Sequence, residues 1–287
     1  DKLQQAKSEL ISIIYFSRFL YDCLIRPLEQ ELAKQEVDTL IIAPDGILRR
    51  VPFSALHDGK QYLIQKFALV LVPGITLTDP EPINKDTLSA IMFGLTESVQ
   101  KHRELPNVDD ELNDIQKIAG GEIFLNNDFN IENLKNTFKN SKQMYSIVHM
   151  ATHGNFGSTP DETYILTFDA RLKMKDLKKL IRYGKYKNKQ MDLLTLSACQ
   201  TALGDERAAL GLAGVAINAG ARSVLASLWL LDDKASSLAM KHFYQALIHS
   251  NFSKAKALQY AQNMLLKHNQ YDHPAFWAPF VLIGNWL

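Results

Sequence analysis

Apolar positions along the chain follow two periods, and each predicts a different kind of element. From Leu3 to Leu32, Leu10, Ile13, Ile14, Leu20, Leu24, Ile25 and Leu28 recur three and four apart. That spacing predicts a long helix with one broad face on the rest of the domain and a kink at Pro27. Thr39 to Ala43 is a continuous apolar strand closed by Pro44-Asp45-Gly46, a turn that suggests a hairpin-like insertion, with further extended pieces at Gln61 to Ile64 and Phe67 to Val72.

From Leu88 onward strands and helices alternate. Strands are predicted at Leu88 to Phe93, Glu122 to Leu125, Ser146 to Thr152, Tyr164 to Phe168, Asp192 to Cys199, Arg222 to Ser227 and Phe280 to Ile283. Between them lie helices at Asn107 to Ala119, capped by Asn107 or Asp109 and stopped by Gly120-Gly121, and at Ile131 to Lys139, Lys175 to Ile181, Ala208 to Ala219, Lys234 to His249 and Ser253 to His268. Such units imply an α/β fold with a mostly parallel central sheet flanked by helices on both faces, preceded by an N-terminal helix and a hairpin-containing extension. The Pro- and Asp-rich stretch Pro73 to Asp86 suggests a division into residues 1–83 and a core of residues 84–287, the two forming one compact unit.

Composition narrows the function. With 287 residues, 46% hydrophobic and 22% charged, the chain can bury a real core. A formal net charge of +1 gives no whole-domain attraction to nucleic acid or to a membrane surface. The basic run around the helix Lys175 to Ile181, from Arg171 to Lys189, reads as a solvated face, because only Tyr183 and Tyr186 interleave with it. No apolar run approaches the roughly 18 residues of a membrane span, and the charged opening is unlike a signal peptide. Without an initiator Met, the chain is expected to be a fragment of a longer protein. Two distant cysteines, Cys23 and Cys199, argue against a disulfide framework and for a reducing cytoplasm. Cys23, on the apolar helix, is expected to be buried.

The candidate chemistry lies between Tyr145 and Cys199. One apolar strand runs into His153-Gly154, and 46 positions later a second runs into Cys199. In an open parallel sheet, ligands bind beyond the carboxyl ends of the strands, so these two ends can present both groups to one crevice. A cysteine attacks as thiolate and needs a depressed pKa or an adjacent base, which a histidine supplies. The plainer alternative makes Cys199 a small buried hydrophobe and His153 a loop residue. Against it stand the glycine after His153 and the caspase pattern, in which the histidine precedes a Gln-Ala-Cys by about 50 residues.

The chain resembles the CHAT domain, a caspase-like (clan CD) cysteine peptidase module often found behind tetratricopeptide repeats. The resemblance is carried by Leu40-Ile41-Ile42-Ala43-Pro44-Asp45-Gly46 with Val51-Pro52-Phe53-Ser54-Ala55-Leu56, by His149-Met150-Ala151-Thr152-His153-Gly154, and by Leu196-Ser197-Ala198-Cys199-Gln200-Thr201. Ala221 to Trp229 with Asp232-Asp233, and Pro274 to Phe280, complete it. It implies Cys199 as nucleophile, His153 as general base and acid, and the backbone N–H groups of Gly154 and Cys199 as oxyanion hole. It implies no third triad member, and Asp192, at the start of the Cys strand, is expected to lie too far from the ring. It also implies a protein substrate and a regulatory N-terminal repeat region. The alternative is a non-catalytic interaction module on the same fold.

Relatives that cut after Arg or Lys, metacaspases among them, carry an Asp two positions before the nucleophile. Here that position is Ser197, so cleavage after a basic residue is not implied. Trp229, Asp232 and Asp233 are candidates for lining the substrate groove; the two aspartates can equally be the N-cap and first-turn acid of the following helix, and Trp229 can be packing. No cofactor or metal is implied. His149 and His153 on one strand stand about 13 Å apart at a rise of about 3.3 Å per residue, too far to share an ion, and His149 reads as a core residue. Cys199 and Arg207 are too widely spaced for a Cys-x5-Arg phosphate cradle, and no Gly-Lys-Ser/Thr loop is present.

Overall fold

The N-terminal apolar periodicity divides at Pro27, whose missing N–H and bulky ring interrupt a helix. A computed structural model describes residues 2–74, 78, 80–140, 145–156, 162–185, 191–197, 200–201, 214, 216–217, 219–229 and 231–287. In it α1 (Lys2–Leu24) ends ahead of a 3-10 turn, Arg26–Leu28, and α2 (Glu29–Lys34) follows. Helix α1 buries a narrow face, Ser17 and Tyr21, continued by Ile25 just past its end, with Leu20 and Leu24 beside it. The opposite arc carries Ile11, Tyr15, Phe16 and Phe19, from 63% to 71% exposed. The broad packed face expected of this helix is therefore absent among its described side chains. Cys23 falls on the outer arc and is exposed, not buried.

Strand β1 (Thr39–Ile42) forms as expected, but Asp45-Gly46 does not turn a hairpin. The Asp45 carboxylate accepts the Gly46 N–H at 2.8 Å, and Gly46, at φ +53°, opens a 3-10 helix instead. The antiparallel contact of this region is the His57–Tyr62 bridge, turned by Asp58-Gly59. Gln61 to Ile64 is not extended throughout: the Gln65 side chain accepts the Tyr62 N–H at 2.8 Å and closes the helical turn α3 (Leu63–Lys66). The chain then enters β2 (Ala68–Leu71), which pairs with β1 in parallel.

The remaining elements are β3 (Ala90–Gly94), α4 (Asn107–Ala119), β4 (Glu122–Leu125), α5 (Ile131–Asn140), β5 (Ile147–Ala151), β6 (Gly154–Phe156), β7 (Tyr164–Leu166), β8 (Arg171–Lys173), α6 (Met174–Lys185), β9 (Leu193–Ser197) and β10 (Gln200–Thr201). They are followed by β11 (Ser223–Ser227), α7 (Asp233–His249), α8 (Lys254–Leu266), α9 (Pro274–Trp277) and β12 (Phe280–Gly284). The helix expected at Ala208 to Ala219 lies mostly outside the described residues. Gly120 stops α4 as expected, at φ +69°. The Asn107 end is capped by another element: Asp233 accepts its backbone N–H at 2.8 Å.

Eight strands form one sheet in the order β1-β2-β12-β11-β9-β5-β3-β4. Every neighbouring pair is parallel except β11 with β12. Strands β3, β5, β9 and β11 are buried along their whole length, which is why they read as mostly apolar runs rather than alternating ones, with His149 in β5 and Thr195 in β9 among the buried polar exceptions. Helix α4 packs on β3 and α7, and α5 packs on α6. A second, four-stranded sheet, β10-β6-β7-β8, grows from the chain just beyond β5 and β9.

Candidate active site

Strands β5 and β9 are parallel neighbours in register from Ile147 opposite Leu193 to Ala151 opposite Ser197. Because their apolar runs end level with each other, the chain leaves both at the same edge of the sheet. The Thr152 N–H still bonds to the Ser197 carbonyl at 3.2 Å. Beyond the edge, Gln200 pairs with Asn155 and Thr201 with Phe156. His153 thus stands between two points at which the His-bearing and Cys-bearing segments are paired. Cys199, with Ala198, lies outside the described residues.

The His153 ring is 4% exposed, and its Nε2 lies 2.8 Å from the carbonyl oxygen of Arg103. A carbonyl only accepts, so Nε2 carries the proton and Nδ1 is the basic nitrogen of the neutral ring. Burial pushes the His153 pKa below the ordinary histidine value, and the nearby His102 and Arg103 push it the same way. The Arg103 carbonyl and Asp233 act in the opposite sense. The ring is therefore neutral at pH 7 and able to take a proton. His102 stacks beside it, with centroids 4.9 Å apart and planes inclined by 34°. Burial and Arg171 lower the pKa of His102 as well.

The loop that supplies the carbonyl is held in place. Gln100 and Lys101 both adopt positive φ, 50° and 70°, a conformation that costs a side-chain-bearing residue some energy. The Gln100 side chain donates to the carbonyls of Thr167 at 3.0 Å and Ala170 at 3.2 Å. On the other side of His153, the Leu166 N–H bonds to the His153 carbonyl at 2.8 Å. This makes Gly154 and Ile165 a non-hydrogen-bonded antiparallel pair, which turns the Gly154 N–H away from β7 and toward the β10 side.

The other candidates have structural duties. Asp232 N-caps α7 through a 2.9 Å bond from the Ala235 N–H. Asp233 accepts from the backbone and side chain of Asn107 at 2.8 and 2.7 Å, tying α7 to the start of α4. Trp229 is half-buried and donates from Nε1 to the Ala275 carbonyl at 3.1 Å. Ser197 is buried, and its hydroxyl meets that of Ser236 at 2.9 Å. Asp192 lies at the opposite end of β9 from Ser197, with Arg222 as its partner at 3.7 Å. His149 is fully buried and engages Tyr244 through Nδ1 at 3.1 Å and Glu111 through Nε2 at 2.8 Å. Among the described residues no group of three or more His, Cys, Asp or Glu side chains could hold a metal ion.

Sequence patterns gave no sign of Arg103, His102 or Gln100. They lie in a polar loop between β3 and α4, where neither periodicity nor motif marks a residue.

A mostly parallel sheet in which two adjacent central strands run out toward a histidine and a cysteine defines a caspase-like α/β fold. The chain belongs to the CHAT domain family, which matches residues 16–285. Solved structures of similar fold include the Arg-specific cysteine proteinase gingipain R, at 9% identity and TM-score 0.54, covering 96% of this chain and 67% of that one. A chain of the separase–securin complex of Saccharomyces cerevisiae is similar at 16% identity and TM-score 0.52, over 83% of this chain and 15% of that one. Tetratricopeptide repeat protein 28 is 24% identical in Mus musculus and 23% in Homo sapiens, over 93% of this chain. The chain spans 13% of the length of those relatives.

Proposed function

We propose that this domain is a cysteine endopeptidase in which Cys199 and His153 form the catalytic dyad. The observation that carries the reading is the anchored, buried and neutral His153, with the segments on either side of Cys199 paired to those on either side of the histidine. His153 Nδ1 takes the thiol proton, and the thiolate adds to the scissile carbonyl. The oxyanion is held by the amides of Gly154 and Cys199; the orientation of the Gly154 N–H toward the β10 side supports its part. Collapse breaks the C–N bond as His153 returns the proton to the leaving amine, leaving a thioester. Water, deprotonated by the same ring, then hydrolyses it and frees the thiol. The Arg103 carbonyl keeps the ring in the required tautomer throughout.

Trp229, Asp232 and Asp233 are proposed to border the substrate groove; the charge of Asp233 reaches His153. The division into residues 1–83 and 84–287 is retained as a proposal. Regulation is assigned to a tetratricopeptide-repeat region. Its support is the name of the relatives and the exposed Ile11, Tyr15, Phe16 and Phe19 of α1, an apolar helical face of the kind helical repeats stack on. No helix among the described residues is long and apolar enough to cross a membrane. Only two cysteines, far apart in the sequence, support a cytoplasmic location for the domain.

The test is a proteome-scale cleavage assay with the intact protein and its Cys199→Ala and His153→Ala forms. Cleavage by the parent alone supports the dyad and reports the residue preceding the cut. Equal cleavage by all three excludes it, and cleavage by none under every activating condition favours the interaction module.

A further inference from the structure

Between α5 and α6 lies a cleft of about 430 Å³, also bordered by Ala170 and by Arg171 and Leu172 of β8. Its floor is apolar, with Leu134, Leu172 and Leu180 all buried. Its walls are basic: Lys135 and Lys139 come from α5, Arg171 from β8 and Lys179 from α6, all exposed, against the single acid Asp176. Lys179 meets Asp176 at 3.4 Å, and the Arg171 guanidinium lies 4.5 Å from the centre of the Tyr164 ring. The lining carries four cations and one anion, on a chain whose net charge is only +1.

The cleft is joined to the site by a short series of contacts. Ala170, in its wall, accepts from Gln100 at 3.2 Å. Two residues further along, His102 stacks on His153 at 4.9 Å. The Arg171 charge is felt at His102. These contacts tie the wall of the cleft to the loop that holds His153.

We propose that this cleft is a docking subsite for an acidic stretch of polypeptide bearing an apolar side chain, the carboxylates meeting Lys135, Lys139, Arg171 and Lys179 and the apolar group packing against Ile131, a partly exposed apolar residue of the lining. The subsite rests on the peptidase reading for its purpose, since it would hold part of the protein cut at the dyad; binding itself depends on the cleft alone. A polypeptide fits better than a nucleic acid because the described lining offers aliphatic side chains and no aromatic ring for a base to stack on. Charge attraction at this exposed rim weakens with salt.

The experiment uses the Cys199→Ala chain, so that binding is read without cleavage. Probes are a fluorescein-labelled twelve-residue peptide of Glu and Asp with two Leu, its Lys-for-acid counterpart and a labelled single-stranded oligonucleotide, followed by fluorescence anisotropy at low and high salt. The expected result is binding of the acidic peptide that weakens about tenfold in Lys135→Glu/Lys179→Glu, in line with surface ion pairs of up to about 1 kcal/mol each. The Lys peptide is expected not to bind. A neutral Lys135→Gln/Lys179→Gln pair, expected to lose about threefold, keeps the test decisive should the charge reversal impair folding. Unchanged affinity in both variants, or tighter binding of the oligonucleotide than of the acidic peptide, overturns the proposal. The two readings separate cleanly: acidic-peptide binding that both variants weaken, in a protein that cleaves nothing, leaves the subsite standing without the peptidase. Cleavage by the parent with no acidic-peptide binding does the reverse.

Discussion

Glu111→Ala is the perturbation that probes most directly how the two central strands are held beneath the site. Glu111 on α4 and His149 on β5 are 1% and 0% exposed, and Glu111 Oε1 accepts the His149 Nε2–H at 2.8 Å. His149 Nδ1 meets the Tyr244 hydroxyl on α7, which in turn meets Thr195 on β9 at 2.8 Å. Four elements, including both strands that lead to the dyad, share one buried polar chain. Removing the carboxylate leaves an imidazole N–H without an acceptor where water does not reach, a loss of about 1–3 kcal/mol for an unsatisfied buried donor. At about 2–4 °C per kcal/mol for large domains, the melting temperature should fall by roughly 2–12 °C. Glu111→Gln keeps an acceptor and should cost only about 1 kcal/mol. The assay is urea unfolding followed by circular dichroism, run as a double-mutant cycle with His149→Phe and Glu111→Leu, where the coupling should reach about 2–3 kcal/mol. A Glu111→Ala protein within 1 kcal/mol of the parent, or an additive cycle, would refute the account.

Two further outcomes follow from other groups. His153 has a lowered pKa, so the acid limb of a kcat/KM profile should lie below the ordinary histidine value; His102→Gln removes one group that lowers it, so the limb should move to higher pH, and an unmoved limb means that His102 does not act on the base. Lys254 is fully buried with its pKa pushed down to about 8, chiefly by burial, while it donates to the Leu287 carbonyl and faces Asp192 and Arg222. The unfolded chain then binds more protons than the folded one from about pH 8 up to the ordinary lysine range, so stability contributed by this group rises with pH across that window. Lys254→Met should be more stable than the parent by about 1–3 kcal/mol at pH 7, with the gain shrinking as pH rises from 8 toward 10, as denaturant titrations at several pH values would read.

What the sequence determined by itself is the material of the sheet and the family. Strands β3, β5, β9 and β11 are covered on both faces, so each had to be mostly apolar without strict alternation, and such a run is visible locally. Gly120 marked the end of α4 because the chain there requires a positive φ. The motifs around His153 and Cys199 carried the CHAT resemblance, and with it the fold. Only the tertiary structure decided which arc of α1 meets the domain, and so that Cys23 is exposed, because the helix is apolar on opposite sides and its pattern fits more than one orientation. The same holds for β1, whose Asp45-Gly46 end leads into a crossover to a parallel partner rather than a hairpin. It holds most for the base itself. The carbonyl that orients His153 belongs to Arg103, 50 positions earlier, and every residue carries such a carbonyl, so no sequence pattern can single it out. Its role comes from the packing that brings the loop ahead of α4 over the end of β5, and a backbone atom placed by long-range contacts leaves no local trace in the residues that supply it.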